Sequence, residues 1–386
     1  MLLDDYRPRW ATEEHDDLRD MAREFCEKEL APNAERFAEQ HEVDRDLWNK
    51  AGDAGLLCLS IPEEYGGGGG DFSHEAVLIE EQARVADNAW GNVIHSVICA
   101  HYILEYGTEE QKQRWLPKLA TGEFVAAIGM TEPTTGSDLQ AIRTKGVRDG
   151  DDYVIDGSKT FITNGSQANL IIIVTRTNDQ PGHKGISLVV AETDGLEGFS
   201  RGRVLQKIGT HGQDTRELFF SQMRVPAANI LGGEAGEGKG FYQLMQQLPQ
   251  ERLAVAVTGA AACEAAVRTT IDYTKNRQVF GKTVMDMQNT KFVLAECAGD
   301  TLAAKSMVDW AIEEHVAGKL TTEGASAAKF WATDMQCKVV DRCLQLHGGY
   351  GFMMEYPIAR MYVDARVQPI YAGTNEIMKD LISRGF

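Results

Sequence analysis

Four short stretches of this 386-residue chain gather hydroxyl, aromatic and small residues in patterns that suit a flat polar ligand. In MTEPTTGSD, residues 130–138, the hydroxyls of Thr131, Thr134, Thr135 and Ser137 surround Pro133 and Gly136. Such a loop presents backbone amides and hydroxyls outward, which fits the polar edge of a heteroaromatic ring. KTFITNG, residues 159–165, sets Phe161 beside Ile162 and Thr163 on a strand. QLHGGYGF, residues 345–352, follows His347 with three glycines, so that backbone either approaches a ligand closely or simply ends a helix. In YAGTNEIMK, residues 371–379, Thr374 reads as the N-cap of a terminal helix whose positive end favours phosphate. Taken singly, each stretch is equally a rim turn, a helix end or a core phenylalanine.

Other chemistries lack their residues. GEAGEGKG, residues 233–240, matches a phosphate loop up to its lysine, but Gly240 stands where magnesium binding needs a hydroxyl. Nine histidines show no metal-ligand spacing, so no metal is expected. Seven cysteines with no C-x-x-C pair read as buried reduced thiols. With 39 basic against 57 acidic residues and a formal charge of -18, the surface repels nucleic acid. The first ten residues lack a basic-then-apolar signal, and no run approaches the roughly 18 uninterrupted apolar residues of a membrane span. These features lead to the expectation of a cytoplasmic protein without a membrane span.

The elements that must hold these stretches change character twice. After Thr12, apolar Leu18, Met21, Ala22 and Phe25 fall on one helical face, which Pro32 is expected to close. Thr108 to Gln111 form a capping box before a second helix, and the five glycines 66–70 predict a flexible surface turn. From Phe124, short β-branched runs separated by turn signals predict a compact barrel or sandwich. After Gly240, three long alanine-rich stretches predict a helical bundle. The division is 1–123 helical, 124–233 β and 234–386 helical: mainly α with a central β-barrel.

Together, MTEPTTGSD, KTFITNG, NRQVFGK (276–282), QLHGGYGF and AGTNEI (372–377), in this order on this layout, resemble the acyl-CoA dehydrogenases over essentially the whole chain. The resemblance implies a homotetramer holding FAD between a helical domain, a β-barrel and a four-helix bundle. It places Ile128, Met130, Thr131, Gly136 and Ser137 at the flavin, with Phe161, Ile162 and Thr163 beside them. Where the family commonly has tryptophan, Phe161 keeps the aromatic face without the indole N–H. Arg277, Phe280 and Gln288 are implied at the pyrophosphate and adenine end, where a guanidinium suits phosphate. Gln345, Leu346, His347, Gly348 and Gly349, with Thr374, Asn375 and Glu376, complete the implied cofactor site, partly across a subunit interface.

The reaction of this family removes an α proton from an acyl thioester while a β hydride leaves for the flavin, so it needs a carboxylate base. Many members carry it at the position of Ala372, which cannot take a proton. The long-chain and isovaleryl branches instead carry it where this chain has Glu251, in LPQERLAVA, residues 248–256, and keep a small residue near the C-terminus. Both halves of that exchange are present here. Leu244, Leu248 and Val255 share the helical face of Glu251, and an apolar setting raises a carboxyl pKa. Arg252 is expected to hold local geometry or form a simple salt bridge. Pro249 is expected to kink or widen the helix beside an acyl chain. Ala372, with Gly373, retains the amide that in the family holds the thioester carbonyl. Ser137 and Tyr242 match positions that touch substrate.

The implied activity is oxidation of a saturated acyl-CoA, long-chain or branched, to the trans-2-enoyl-CoA, with electrons passed to an electron-transferring flavoprotein. Oxygen-using oxidases and monooxygenases share the fold. The oxidases usually add a C-terminal domain, and the monooxygenases need no counterpart of Glu251. A non-catalytic scaffold predicts loss of base or flavin contacts.

Overall fold

Acidic residues in the first turn and a one-sided apolar face produce α1 (Glu13–Phe25), which buries Leu18, Ala22 and Phe25. The computed structural model describes residues 2–386. Pro32 does not close the helical path. A π-helical turn, Cys26–Leu30, and a 3-10 turn, Ala31–Asn33, carry the chain across it into α2 (Ala34–Gln40). At the start of that short turn the proline's missing N–H has no bond to lose. The helical region continues through α3 (Arg45–Asp53), α4 (Phe72–Arg84), a π-helical segment Val93–Cys99, α5 (Ala100–Tyr106) and α6 (Glu109–Ala120).

Caps set these helices as their residues predict. Thr108 N donates to Gln111 Oε1 at 3.0 Å, and Gln111 N returns the bond to Thr108 Oγ1 at 3.3 Å. α1 and α4 share a less usual cap, with His15 behind Thr12 and His74 behind Asp71 and the two rings 4.4 Å apart. His15, Asp71 and His74 thereby bring ligand-type atoms within 4.8 Å, a grouping that no spacing in the sequence announces. The glycines 66–70 form the expected surface turn, but it is pinned. The N–H groups of Gly67, Gly68, Gly69 and Gly70 donate to carbonyls of Pro62, Cys58, Ile61 and Leu59. A Cβ on Gly67 would lie 2.2 Å from the Ile61 carbonyl oxygen, so close approach demands glycine there.

The β region comprises β1 (Ala126–Gly129), β2 (Lys145–Asp149), β3 (Asp152–Thr163), β4 (Leu170–Arg176), β5 (Ile186–Glu192), β6 (Phe199–Val204) and β7 (Thr215–Pro226). They form one curled, seven-stranded half-barrel in the order β1, β4, β2, β3, β7, β6, with β5 paired to β4. One face packs Ile155, Ile171, Leu218 and Met223 among themselves. Another seats Leu170, Ile172 and Val190 on Tyr102, Trp115 and Leu116 of α5 and α6. The alternation along the strands thus separates two cores.

Beyond the sheet, α7 (Gly240–Asn276) leads to a hairpin of β8 (Gln278–Val279) and β9 (Lys282–Thr283), then α8 (Gln288–Val316) and α9 (Thr322–His347). These three long helices pack on one another, and α10 (Pro357–Ala365) and α11 (Asn375–Ser383) lie against α9. α7 is long and apolar enough to cross a membrane, but most of its apolar part is buried within the chain. The widened turn expected at Pro249 is not found: α-helical structure runs unbroken from Gly240 to Asn276.

One buried ion pair ties the loop 130–138 to the sheet. Lys159 Nζ lies 2.8 Å from Glu132 Oε1 and 3.2 Å from the Met130 carbonyl, with Lys159 wholly buried. Glu132 also accepts from the N–H groups of Arg143 and Thr144 at 2.7 and 2.9 Å. Removing one partner strands the other charge in the core. Glu132→Gln is therefore expected to lower unfolding stability by about 3–5 kcal/mol, read as a fall in urea midpoint. A midpoint within error of the parent protein would refute this anchoring.

Candidate active site

Glu251 lies on α7 one turn beyond Leu248, and the fold covers it with the helices of the first region. The side chain is 5% exposed. Tyr102 on α5 donates its hydroxyl to Glu251 Oε1 at 2.8 Å, the one hydrogen bond to this carboxyl among the described residues. Burial pushes the carboxyl up to about 7, against the Tyr102 bond and the neighbouring Arg252 charge, which pull it down. The result is an acid that can be ionised or neutral near neutral pH.

Arg252 is equally buried, and the simple salt bridge considered for it is absent: it forms no ion pair among the described residues, and its Nε has no partner. Desolvation, and then the Arg252 charge, bring the Lys329 ammonium down to about 8. Lys329, wholly buried on α9, donates to the Gly373 carbonyl at 2.8 Å and to Asn375 Oδ1 at 2.9 Å. This chain of neighbours brings the loop 371–374 to the same end of the bundle as Glu251. Ala372 holds a left-handed φ of 51°, and its N–H donates to no group among the described residues. A strained residue with a free amide suits an acceptor that arrives from outside.

The other expected residues fall into two groups. Met130, Thr131, Gly136 and Ser137 lie on the loop after β1, where the N–H groups of Gly136 and Ser137 are unused within the described chain. Ile128 is half-buried within β1. At Phe161 the β3–β7 register slips between Lys159 and Ile162. That bulge, with a φ of 61°, turns Phe161 outward to 68% exposure, while Ile162 stays buried and Thr163 half-buried. The second group borders a cavity of about 530 Å³ lined by Arg277, Leu346, His347, Gly348, Gly349 and Tyr350. Arg277 lies over the Tyr350 ring at 5.1 Å, and a Cβ on Gly348 or Gly349 would meet open space. His347 both ends α9 and walls this cavity, stacked on Tyr273 at 4.2 Å with Nδ1 on the Cys343 carbonyl.

Phe280 is left-handed and 97% exposed at the hairpin tip, and Gln288 and Gln345 are exposed at the ends of their helices. None of the first group lines the cavity of the second. Thr374 caps α11 through Ile377 N, as expected, and Glu376 is exposed in its first turn. The Asn375 side chain is bonded to Lys329, Thr333 and Asp334 of α9, which fixes the start of α11 beside the loop 371–374. Tyr242 is half exposed, its hydroxyl 3.2 Å from His183 Nε2, and Pro249 is half-buried on α7.

Outward amides, a bare aromatic ring and a glycine-walled cavity with a guanidinium fit the edge, face and phosphates of a flavin dinucleotide. Tyr102 and Lys329 went unnoticed in the sequence. Tyr102 sits in an apolar run that resembles any core helix. Lys329 carried a signal, a lone charge within ASAAKFWA, where the helical pattern buries its neighbours.

Known proteins match this arrangement along its length. Family models for the acyl-CoA dehydrogenase N-terminal, middle and C-terminal domains match residues 12–123, 127–223 and 238–386. The long-chain specific acyl-CoA dehydrogenase, mitochondrial, of Rattus norvegicus is 47% identical over 374 residues, covering 96% of this chain and 86% of that protein. A crystal structure of acyl-CoA dehydrogenase from Geobacillus kaustophilus superposes with a TM-score of 0.94 at 48% identity, covering 98% of this chain and 99% of that one. A glutaryl-CoA dehydrogenase from Mycobacterium smegmatis in complex with FADH2 has a TM-score of 0.90 at 26% identity, covering 98% and 95%. The expected cytoplasmic location is corrected by the rat relative, which is a mitochondrial protein. Composition speaks to the solvent in which a chain folds and carries no compartment address. The chain belongs to the acyl-CoA dehydrogenase family and is an enzyme of that family.

Proposed function

We propose that this FAD-dependent acyl-CoA dehydrogenase converts a saturated long-chain or branched acyl-CoA to its trans-2-enoyl-CoA, with Glu251 as the base. The observation that carries the reading is a buried carboxylate on α7 that forms no ion pair among the described residues, at the bundle end where the Ala372 amide is likewise unused among them. The three-part division at 123 and 233 is part of the same reading.

Each residue has a task that its setting supports. Glu251 takes the α proton, and the electrons of that C–H bond become the new double bond as the β hydride departs. Bound FAD supplies the hydride acceptor. Ala372 N–H holds the thioester oxygen, which gains charge as the proton leaves. Arg252, a buried cation without an ion pair among the described residues, favours the ionised form of Glu251 before the transfer. Tyr242, Ser137 and Gly373 border the substrate, with Pro249 beside the acyl chain. Residues 128–137 and 161–163, with Thr374 and Glu376, hold the flavin end. Arg277, Phe280, Gln288 and residues 345–349 hold the dinucleotide end of a neighbouring subunit's cofactor. The separation of these groups in one chain supports a homotetramer in which cofactor binding and assembly are linked. Electrons leave to an electron-transferring flavoprotein. α7 serves as a core helix, and the reading includes no membrane span.

Glu251→Gln tests the base directly. Anaerobic addition of palmitoyl-CoA or isovaleryl-CoA to the holoenzyme is expected to bleach the flavin band, and the variant to do so about 10²–10⁴-fold more slowly with flavin still bound. Turnover at the parent rate would exclude Glu251. The pH profile gives a second check. A base works ionised, so the bleaching rate of the parent enzyme is expected to rise with pH through about 7; a rise centred near an ordinary glutamate value, about 4.3, would contradict the buried setting.

A further inference from the structure

The helices of the first region meet α7 along a ladder of polar contacts, one near each turn. Gln250 Nε2 donates to the Val97 carbonyl at 2.7 Å, Tyr102 to Glu251 Oε1 at 2.8 Å, and Tyr106 OH to Gln246 Oε1 at 3.2 Å. The middle rung differs from the others. It ends on the proposed base, and Tyr102 is wholly buried and comes from a segment 149 residues away. It also treats the two carboxyl oxygens unequally. Oε1 accepts the phenol, while Oε2 accepts from no group among the described residues.

We infer that Tyr102 is a positioning residue for proton abstraction: its hydroxyl clamps Glu251 Oε1, which leaves Oε2 as the atom that receives the substrate's α proton. The inference rests on the reading of Glu251 as base. In the transfer an O–H bond forms at Oε2 and the α C–H bond breaks; its electron pair enters the new C=C as the β hydride leaves for FAD. Because a phenol donates more strongly to a carboxylate than to the neutral acid, the clamp also favours the ionised base. Burial alone would drive Glu251 toward its neutral, inactive form.

Several other groups face this carboxyl. Cys99 precedes α5, and like Tyr102 it is raised well above its usual range by burial and then by Glu251 itself. Arg252 stands on α7, with Lys329 of α9 beyond it. Neither the thiol nor the phenol ionises near neutral pH. Lys329 is lowered to about 8 by desolvation and the Arg252 charge, and Tyr102 is not among the causes, so a comparison of the parent with a Tyr102 variant addresses the clamp.

Tyr102→Phe removes the hydroxyl and keeps the ring. In anaerobic bleaching of the holoenzyme by palmitoyl-CoA, the limb near pH 7 is expected to move upward by about one pH unit. At pH 6 that is a rate about tenfold lower, with flavin content unchanged. A limb at the parent position would overturn the clamp. Where this variant fails to fold, infrared spectroscopy of the parent protein and Glu251→Gln answers instead. The infrared carbonyl band of protonated Glu251, assigned by its loss in Glu251→Gln, is expected at the frequency of a hydrogen-bonded acid, and a free-carbonyl frequency would overturn the inference. Glu251→Gln run in parallel separates the two claims. If it stops bleaching while the Tyr102→Phe limb stays put, the clamp alone fails; if it bleaches normally, base and clamp fall together.

Discussion

A carboxylate held in an apolar interior without a counter-ion is costly, and the architecture around Glu251 exists to sustain that cost. α7 supplies the residue, and the first helical region seals it from water. α9, through Lys329, brings in the loop that carries Ala372. Arg252 adds a cation nearby that forms no ion pair among the described residues and so does not cancel the carboxylate outright. A paired glutamate would be ionised but too weak a base. A glutamate buried with neither Tyr102 nor Arg252 would stay protonated at neutral pH.

The same division of labour explains where strain appears. Phe161, Phe280 and Ala372 all adopt left-handed backbone, although none is glycine. Each is fixed by structure behind it: a bulge against β7, a two-stranded hairpin and the Lys329 bond to Gly373. Strained residues persist where their surroundings over-determine them, and these three present a ring, a second ring and an amide outward. The Glu132–Lys159 pair anchors the neighbouring loop in the same way, leaving its tip amides free.

Much of this was legible in the chain, because chemistry at fixed spacing survives without coordinates. The strand written DYVIDGSKTFIT is β3 from end to end, and the alanine-rich stretches are α7, α8 and α9. Glu251 and Ala372, which the proposed function pairs as base and amide, stand 121 residues apart in the sequence. Local signals failed where long-range packing decides. Pro32 looked like a stop, but a π-helical turn absorbs it. Five glycines looked loose, but carbonyls between residues 58 and 63 hold them. Tyr102 could not be found at all, since a buried phenol and a buried core ring look alike until the partner 149 residues away is known.

The central claim is that Glu251 faces the substrate's α carbon. A crystal structure of the FAD-loaded protein with a non-oxidisable acyl-CoA thioether addresses it most directly. Glu251 Oε2 is predicted within about 3.5 Å of the carbon α to the thioether sulfur, with Oε1 still on Tyr102. Another carboxylate at that distance, or Glu251 directed away from the ligand, would contradict the account.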